Sequence, residues 1–322
     1  MINNAGEGCV DSVETAVGQV KDEVSGILLS SPMLVRNYIS HLLGANGKFI
    51  RAACLATCAL DPDGRIHPNA VKAAAAIEIL HLATLVHDDV IDDADIRRGI
   101  PTLQKKFGKR VAVICGDYLF SLALKLAEGV ENKRDYLDLH IPDYVSRICV
   151  GELTQNINAG NFDLSERQYL KIISGKTAAL FEASFYAGGV LAGAEKKEWE
   201  RYKRLGRHIG MIFQLMDDCM DYASTAKAEK KPVHSDFEQK VVTLPLIYTL
   251  GKAPELKDRA KAGEKISRDG INRAVAEAGG LDYTKQVAQR YYEKALGVME
   301  TMDLSQPKKA GLTAILKKVY RE

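Results

Sequence analysis

The feature that most constrains this chain is an apolar run from Ala70 to Ile91 that ends in aspartates, Asp88, Asp89 and Asp92. Read as a helix, the run is apolar nearly all round, which marks a helix buried on every side. At 100° per residue, His81, Asp88 and Asp92 still fall within about 40° of one another. Burying ionised carboxylates is costly unless something compensates them, so a buried helix with this polar stripe is a poor purely structural element. A second apolar segment, Gly206 to Tyr222, ends the same way, in Asp217, Asp218 and Asp221. Both clusters read DDxxD, and residues i and i+4 of a helix share a face. Asp88 therefore projects with Asp92, and Asp217 with Asp221.

The rest of the chain repeats the helical period. Apolar positions recur at three- and four-residue spacing from about Val10 to Leu29. Ser31-Pro32 predicts an N-cap followed by proline at the first helical position. Asp61-Pro62-Asp63-Gly64 predicts a turn. Ser165 with Gln168 predicts a capping box, and Pro245 a helix start or kink. Strand-like alternation is scarce. The lysine-rich stretch 224–235 is the most linker-like, and it is short. The expectation is one all-α domain over residues 1–322.

Composition narrows the function classes. Hydrophobic residues make up 46% and charged residues 27% of the 322, the balance of a globular chain with a sizeable core. A formal net charge of +2 gives no bulk attraction for nucleic acid. The cysteines at 9, 54, 58, 115, 149 and 219 form no CxxC pair, so reduced thiols in a cytoplasmic protein are expected, not a disulfide scaffold or zinc site. The N-terminus lacks signal-peptide blocks. No uncharged run reaches the ~20 residues of a membrane span, so no transmembrane segment is expected. Gly44-Ala45-Asn46-Gly47-Lys48 is too short for a P-loop and lacks the following Ser/Thr.

The aspartates then call for a hard cation. Mg²⁺ takes oxygen ligands, a few carboxylates together with phosphate oxygens and water. Two carboxylate groups facing each other across a helical cavity would clamp several Mg²⁺ ions around a diphosphate and neutralise a leaving group. Lys48 and Arg51 lie three apart at an expected helix start, and Arg97-Arg98 follow the first aspartates. Arginine's planar fork suits phosphate. Acidic clusters beside basic pairs fit two phosphate groups, one held through metal and one by direct cations.

These motifs, in this order, resemble the trans-isoprenyl diphosphate synthases (polyprenyl synthetases) over roughly Gly47 to Pro245. Leu80 to Asp92 looks like the family's first aspartate-rich motif, continued by Arg97-Arg98-Gly99-Ile100-Pro101-Thr102. Gly116-Asp117-Tyr118-Leu119-Phe120, Gly151-Glu152-Leu153-Thr154-Gln155 and Lys176-Thr177-Ala178-Ala179-Leu180 match intervening segments, and Phe213 to Asp221 looks like the second aspartate-rich motif. The resemblance implies an all-α isoprenoid-synthase helical bundle with a central cavity, commonly a homodimer. It implies head-to-tail, trans condensation of isopentenyl diphosphate onto an allylic diphosphate. By the same resemblance Lys48, Arg51, His81 and Arg98 hold isopentenyl diphosphate, and Arg97, Lys176, Lys231 and Lys240 face the allylic diphosphate. The metal clusters are Asp88, Asp89, Asp92, Asp217, Asp218 and Asp221; Asp88, Asp92 and Asp217 ligate Mg²⁺ directly and Asp221 through water. Lys176, Thr177 and Gln214 form the catalytic set, the last two near the developing carbocation.

The sequence departs from the family pattern in three places. Ala52 follows Arg51 where proline is usual, Lys230 precedes Lys231 where glycine is usual, and the usual Gly-Lys has become Lys240-Val241. The last two put the roles of Lys231 and Lys240 in question. In this family, bulk four and five residues before the first aspartate stops chain growth, and here those positions are Thr84 and Ala83. Leu80 and Ala76 lie within about 60° of Ala83 on the helix, so the first obstruction falls a turn deeper, and a product of C20 or longer is expected. A terpene cyclase would need no second DDxxD and no Lys48/Arg51/His81 set. An HD-type phosphohydrolase would need spread histidine ligands, and a regulatory subunit could carry broken aspartate motifs.

Overall fold

The computed structural model describes residues 9–44, 47–130, 141–223 and 240–321, and among them the fold is 78% helical with one two-residue hairpin. Lys231 lies outside the described residues. The chain forms two compact units. The first holds the described residues up to 130 with Ala183–Lys203 and Asp303–Leu312; the second holds the described residues to Glu182, Arg204–Met302 and the chain end. The divisions at 182/183, 203/204 and 312/313 fall within helices, not linkers.

In the first unit, α1 (Val13–Ser30), α2 (Met33–Ile39) and α3 (Ile50–Cys58) precede the long α4 (Pro68–Ile91). α4 packs on α1, on α3 and on α6 (Lys109–Glu128), with the short α5 (Leu103–Phe107) before α6. Contact on several sides is what an all-round apolar helix demands. By length and composition alone α4 could cross a membrane, but 56% of its most apolar window is buried inside the protein. His87 follows from the same packing. A Cβ on Gly116 of α6 would fall 2.2 Å from His87 Nε2, and that nitrogen lies 3.2 Å from the Val113 carbonyl. The histidine of the His-Asp pair is thus turned toward α6, away from the face that Asp88 shares with Asp92.

The second unit holds α7 (Ile141–Ile157), α8 (Glu166–Ile173), a π-turn at Ser174–Ala178 and the start of α9 (Ala179–Leu191). Most of α10 (Lys196–Ala223) follows, then α11 (Leu244–Lys252), α12 (Pro254–Lys261), α13 (Arg268–Ala278), α14 (Gly280–Glu300) and the end of α15 (Gln306–Tyr320). Its core gathers Tyr169, Ile173, Leu215, Leu244, Leu250 and Val287. The capping box forms as the sequence predicts, Ser165 and Gln168 exchanging bonds. Pro245 starts α11 without kinking it. At the start of α2 the structure differs by one residue: Pro32 is the cap, and the Ser31 hydroxyl instead donates to the Ile27 carbonyl, finishing α1.

One half-buried imidazole carries a pH dependence. His208 of α10 packs against the Tyr291 ring of α14, centroids 5.8 Å apart. Burial first, then the charges of Lys294, Arg204 and Arg207, lower its pKa to about 4. The folded state thus holds the ring neutral while the unfolded chain protonates it near its ordinary value, so stability falls as pH drops from about 6.5 toward 4. His208→Gln is expected to flatten that limb of the unfolding-midpoint-against-pH curve. An unchanged limb in the variant would refute the assignment.

Candidate active site

The first motif is built by the end of α4 and the hairpin that follows. Asp88 and Asp92 sit half-buried on one helix face, with the Asp92 amide donating to the Asp88 carbonyl at 2.8 Å. Asp89 points elsewhere. It is buried, and Arg97 Nε donates to its Oδ1 at 2.5 Å. Burial pushes the Asp89 carboxyl up and the Arg97 charge opposes it.

The hairpin pairs Ile96–Arg97 with Ile100–Pro101 around Arg98 and Gly99, both at positive φ, 52° and 82°. Two positive φ values at the centre of a two-residue turn are the type I′ pattern, which suits strand twist. Alternation across the turn then separates the two arginines: Arg97 turns to Asp89, while Arg98 lines a cavity of about 220 Å³. That cavity also meets Gly47, Phe49, Glu78, His81 and Lys21. A Cβ on Gly47 would lie 3.0 Å from Arg98 Nη1, so the missing side chain leaves room beside the guanidinium.

Arg51 is buried on α3, and its charge reaches both His81 and Glu78. Burial first, then Arg51, Arg98 and Arg97, drive His81 well below its ordinary value, so the ring is neutral at pH 7. Glu78, raised by burial and opposed by Arg51, accepts the Ala52 amide at 2.9 Å. The structure therefore brings Arg51, His81 and Arg98 together, as the sequence expects, and adds Glu78. Lys48 lies nearby in sequence, exposed.

The second motif ends α10. Asp217 is exposed and meets Arg321 Nη2 at 3.1 Å; Arg321 also donates to the Met216 carbonyl at 2.8 Å. Asp221 is half-buried, with Arg268 Nη2 3.9 Å from its carboxylate. Asp218, like Asp89, faces inward: Tyr169 Oη donates to Oδ2, and Gln214 Nε2 donates to Oδ1 at 2.7 Å. Burial raises its pKa to about 7, against the hydrogen bonds from Tyr169 and Gln214. Thr177 Oγ1 donates to Gln214 Oε1 at 2.6 Å, so the two residues expected to be catalytic are in direct contact.

The π-turn that carries Lys176 and Thr177 lies against α7, backbone to backbone. A Cβ on Gly151 would fall 2.4 Å from the Lys176 amide nitrogen, which only glycine tolerates. Such π-turns are frequent at functional sites. Lys176 Nζ lies 2.6 Å from Glu152 Oε2. Lys240 is held left-handed at φ 61°, its carbonyl accepting the Gly160 amide at 2.7 Å. Glycine adopts that conformation at no steric cost. Lys240 thus fills the backbone slot where the family's Gly-Lys has its glycine.

Both motifs share one pattern: the first and last aspartates are half-buried or exposed, and the middle one is buried and bonded to the protein. Oxygen-only donors in pairs match Mg²⁺, which keeps several waters and is commonly completed by substrate phosphate. Among the described residues no three His, Cys, Asp or Glu side chains converge on one point, so oxygens from outside the protein would have to complete any such sphere. Sequence reasoning missed Tyr169, Glu78, Glu152, Arg268 and Arg321. Tyr169 lies 49 residues from its aspartate and carries no local signal, whereas Glu78 was visible as a lone charge in an apolar run.

A family profile described as polyprenyl synthetase matches residues 32–278. Heptaprenyl diphosphate synthase component 2 of Bacillus subtilis is 33% identical, over 86% of this chain and 79% of its own length. Octaprenyl diphosphate synthase of Escherichia coli is 32% identical, over 85% of this chain and 86% of its own. The crystal structure of geranylgeranyl pyrophosphate synthase from Lactobacillus brevis superposes with a TM-score of 0.84 at 32% identity, covering 96% of this chain and 97% of that one. With most of its length matched by one family, and the motifs of that family in place on its helices, this chain belongs to the polyprenyl synthetases.

Proposed function

We propose that the chain is a Mg²⁺-dependent trans-prenyltransferase that condenses isopentenyl diphosphate with an allylic diphosphate, head to tail, to a product of C20 or longer. The observation that carries the substrate assignment is the cavity beside Arg51, His81 and Arg98, a cationic site for a diphosphate with a neutral imidazole free to donate. Lys48, Arg51, His81 and Arg98 hold isopentenyl diphosphate there. Arg97 and Lys176 face the allylic diphosphate; Lys231 shares that role, while Lys240 contributes from a displaced position. Asp88, Asp92, Asp217 and Asp221 would hold Mg²⁺. Asp89 and Asp218 orient their neighbours.

Bound Mg²⁺ supplies charge that neutralises the departing diphosphate. The chain's own cations do the same from the protein side, and Thr177 and Gln214 lie beside the allylic carbon as its bond to oxygen breaks. The isopentenyl double bond attacks that cation, and the tertiary cation this creates loses a proton from its neighbouring carbon to the departing diphosphate, which leaves a new double bond. Preorganised charge around the leaving group carries most of the rate. We place the chain in the cytoplasm, because none of the six cysteines is in a disulfide and thiols persist there. A second copy of the chain is the assembly partner we favour, because Val150, Leu153 and Ile157 form an exposed apolar stripe on α7.

Incubation with isopentenyl diphosphate, several allylic primers and Mg²⁺, followed by product sizing, tests the assignment. Products of C20 or longer are expected; farnesyl diphosphate as the sole end product would contradict it. Ala83 and Thr84 supply a sharper test. Ala83 is buried and Thr84 half-buried, its hydroxyl on the His81 carbonyl. Thr84→Phe is expected to shorten the product, and Ala83→Phe to do so at a cost of about 1–3 kcal/mol from overpacking. An unchanged product distribution from folded Thr84→Phe would refute the stopping position.

A further inference from the structure

Asp218 is the hub of a hydrogen-bonded chain that runs Tyr169, Asp218, Gln214, Thr177. Asp218, Tyr169 and Thr177 are buried, Asp218 only 3% exposed. The direction of each bond in this chain is set by chemistry. The phenol of Tyr169 and the amide nitrogen of Gln214 both donate to Asp218, which in its ionised form can only accept. With its nitrogen committed, Gln214 turns its carbonyl oxygen to Thr177. That oxygen can only accept, so the Thr177 hydroxyl must give its hydrogen to Gln214. The hydroxyl lone pairs are then left over, and no hydrogen bond among the described residues takes them.

We propose that Asp218 is a positioning residue, not a metal ligand: it fixes the Gln214 amide so that Thr177 presents only lone pairs to the allylic cation. This rests on the functional assignment of Thr177 and Gln214 above. A hydroxyl turned the other way would aim its hydrogen, with its partial positive charge, at the cation. Two neighbours lock Asp218, so the whole chain is polarised from one buried charge.

The test exploits that direction. In Asp218→Asn the new amide nitrogen competes with the Gln214 amide, and Gln214 flips to offer its nitrogen to Thr177. The turnover number is expected to fall at least tenfold, while KM for both diphosphates and the Mg²⁺ concentration for half-maximal rate stay within twofold. Adding Gln214→Glu restores the pattern: the amide nitrogen introduced at position 218 donates to one oxygen of the carboxylate introduced at position 214, and the other oxygen accepts from Thr177. The double variant is expected to regain most of the lost turnover.

Tyr169→Phe, which removes one donor and keeps the shape, should lose about fivefold, the scale of one hydrogen bond. Unfolding midpoints of both single variants and the double variant read the same coupling without catalysis, and the double variant should recover stability lost by Asp218→Asn. A raised Mg²⁺ requirement in Asp218→Asn, normal turnover in that variant, or no recovery in the double variant would each overturn the proposal. Absence of prenyl transfer by the wild-type chain would instead strike the functional assignment, and the unfolding cycle would still decide whether the polarised chain exists.

Discussion

Replacing Asp88 or Asp217 by alanine is expected to cut prenyl transfer by at least about a hundredfold, the scale of losing a key electrostatic group. Each is the first aspartate of its motif, and each stands where a cation from solution can reach it: Asp88 half-buried at the end of α4, Asp217 exposed near the end of α10. Neither replacement empties a core position. The Arg321 contact of Asp217 is an exposed ion pair, a class worth little to stability. Folding should therefore survive in both variants while activity does not. Steady-state rates with labelled isopentenyl diphosphate, measured across a Mg²⁺ titration, give the readout beside an unfolding curve. Near wild-type turnover in either folded variant would remove the metal role. Asp218→Asn supplies the contrast, because its expected loss leaves the Mg²⁺ dependence in place.

What the sequence discloses here is periodicity and local order; what it conceals is direction. The run before Asp88 is apolar on all sides, and α4 is accordingly wrapped by α1, α3 and α6. The spacing of Asp88 and Asp92 sets their common face without further information. The middle aspartates are different. Nothing in a DDxxD string says that Asp89 meets Arg97 or that Asp218 meets Tyr169, because those partners are chosen by a turn and by a helix packed from elsewhere. The fork between Arg97 and Arg98 depends on two positive φ values in a hairpin too short to show alternation. Lys240 is the reverse case. Its displacement is legible in the sequence, and its left-handed backbone gives the displacement a physical meaning.

Glu182 is expected to be the most costly buried charge to lose. It is only 3% exposed on α9, yet Arg147 of α7 donates to both of its oxygens, at 2.9 and 3.0 Å, and Arg207 of α10 adds a third bond at 2.9 Å. Burial alone would push this carboxyl up; the bonds from Arg147 and Arg207 outweigh it, and the pKa ends below the ordinary value. Glu182→Ala strands two guanidiniums that shared its one negative charge. Removing one partner of a buried pair costs about 3–5 kcal/mol. Both arginine side chains keep contact with water, 35% and 45% exposed, which moves the expectation to the low end, on the order of 3 kcal/mol. Glu182→Gln should recover little, because its amide nitrogen faces donors. The sign with pH follows from the depressed pKa: the stabilisation is present above the unfolded carboxylate value and is lost as pH falls through the folded one. The gap between wild type and Glu182→Ala in urea unfolding should therefore be full at pH 7 and close in acid. A gap that persists unchanged at pH 3, or is absent at pH 7, would show that the three helices are held by packing and not by this charge.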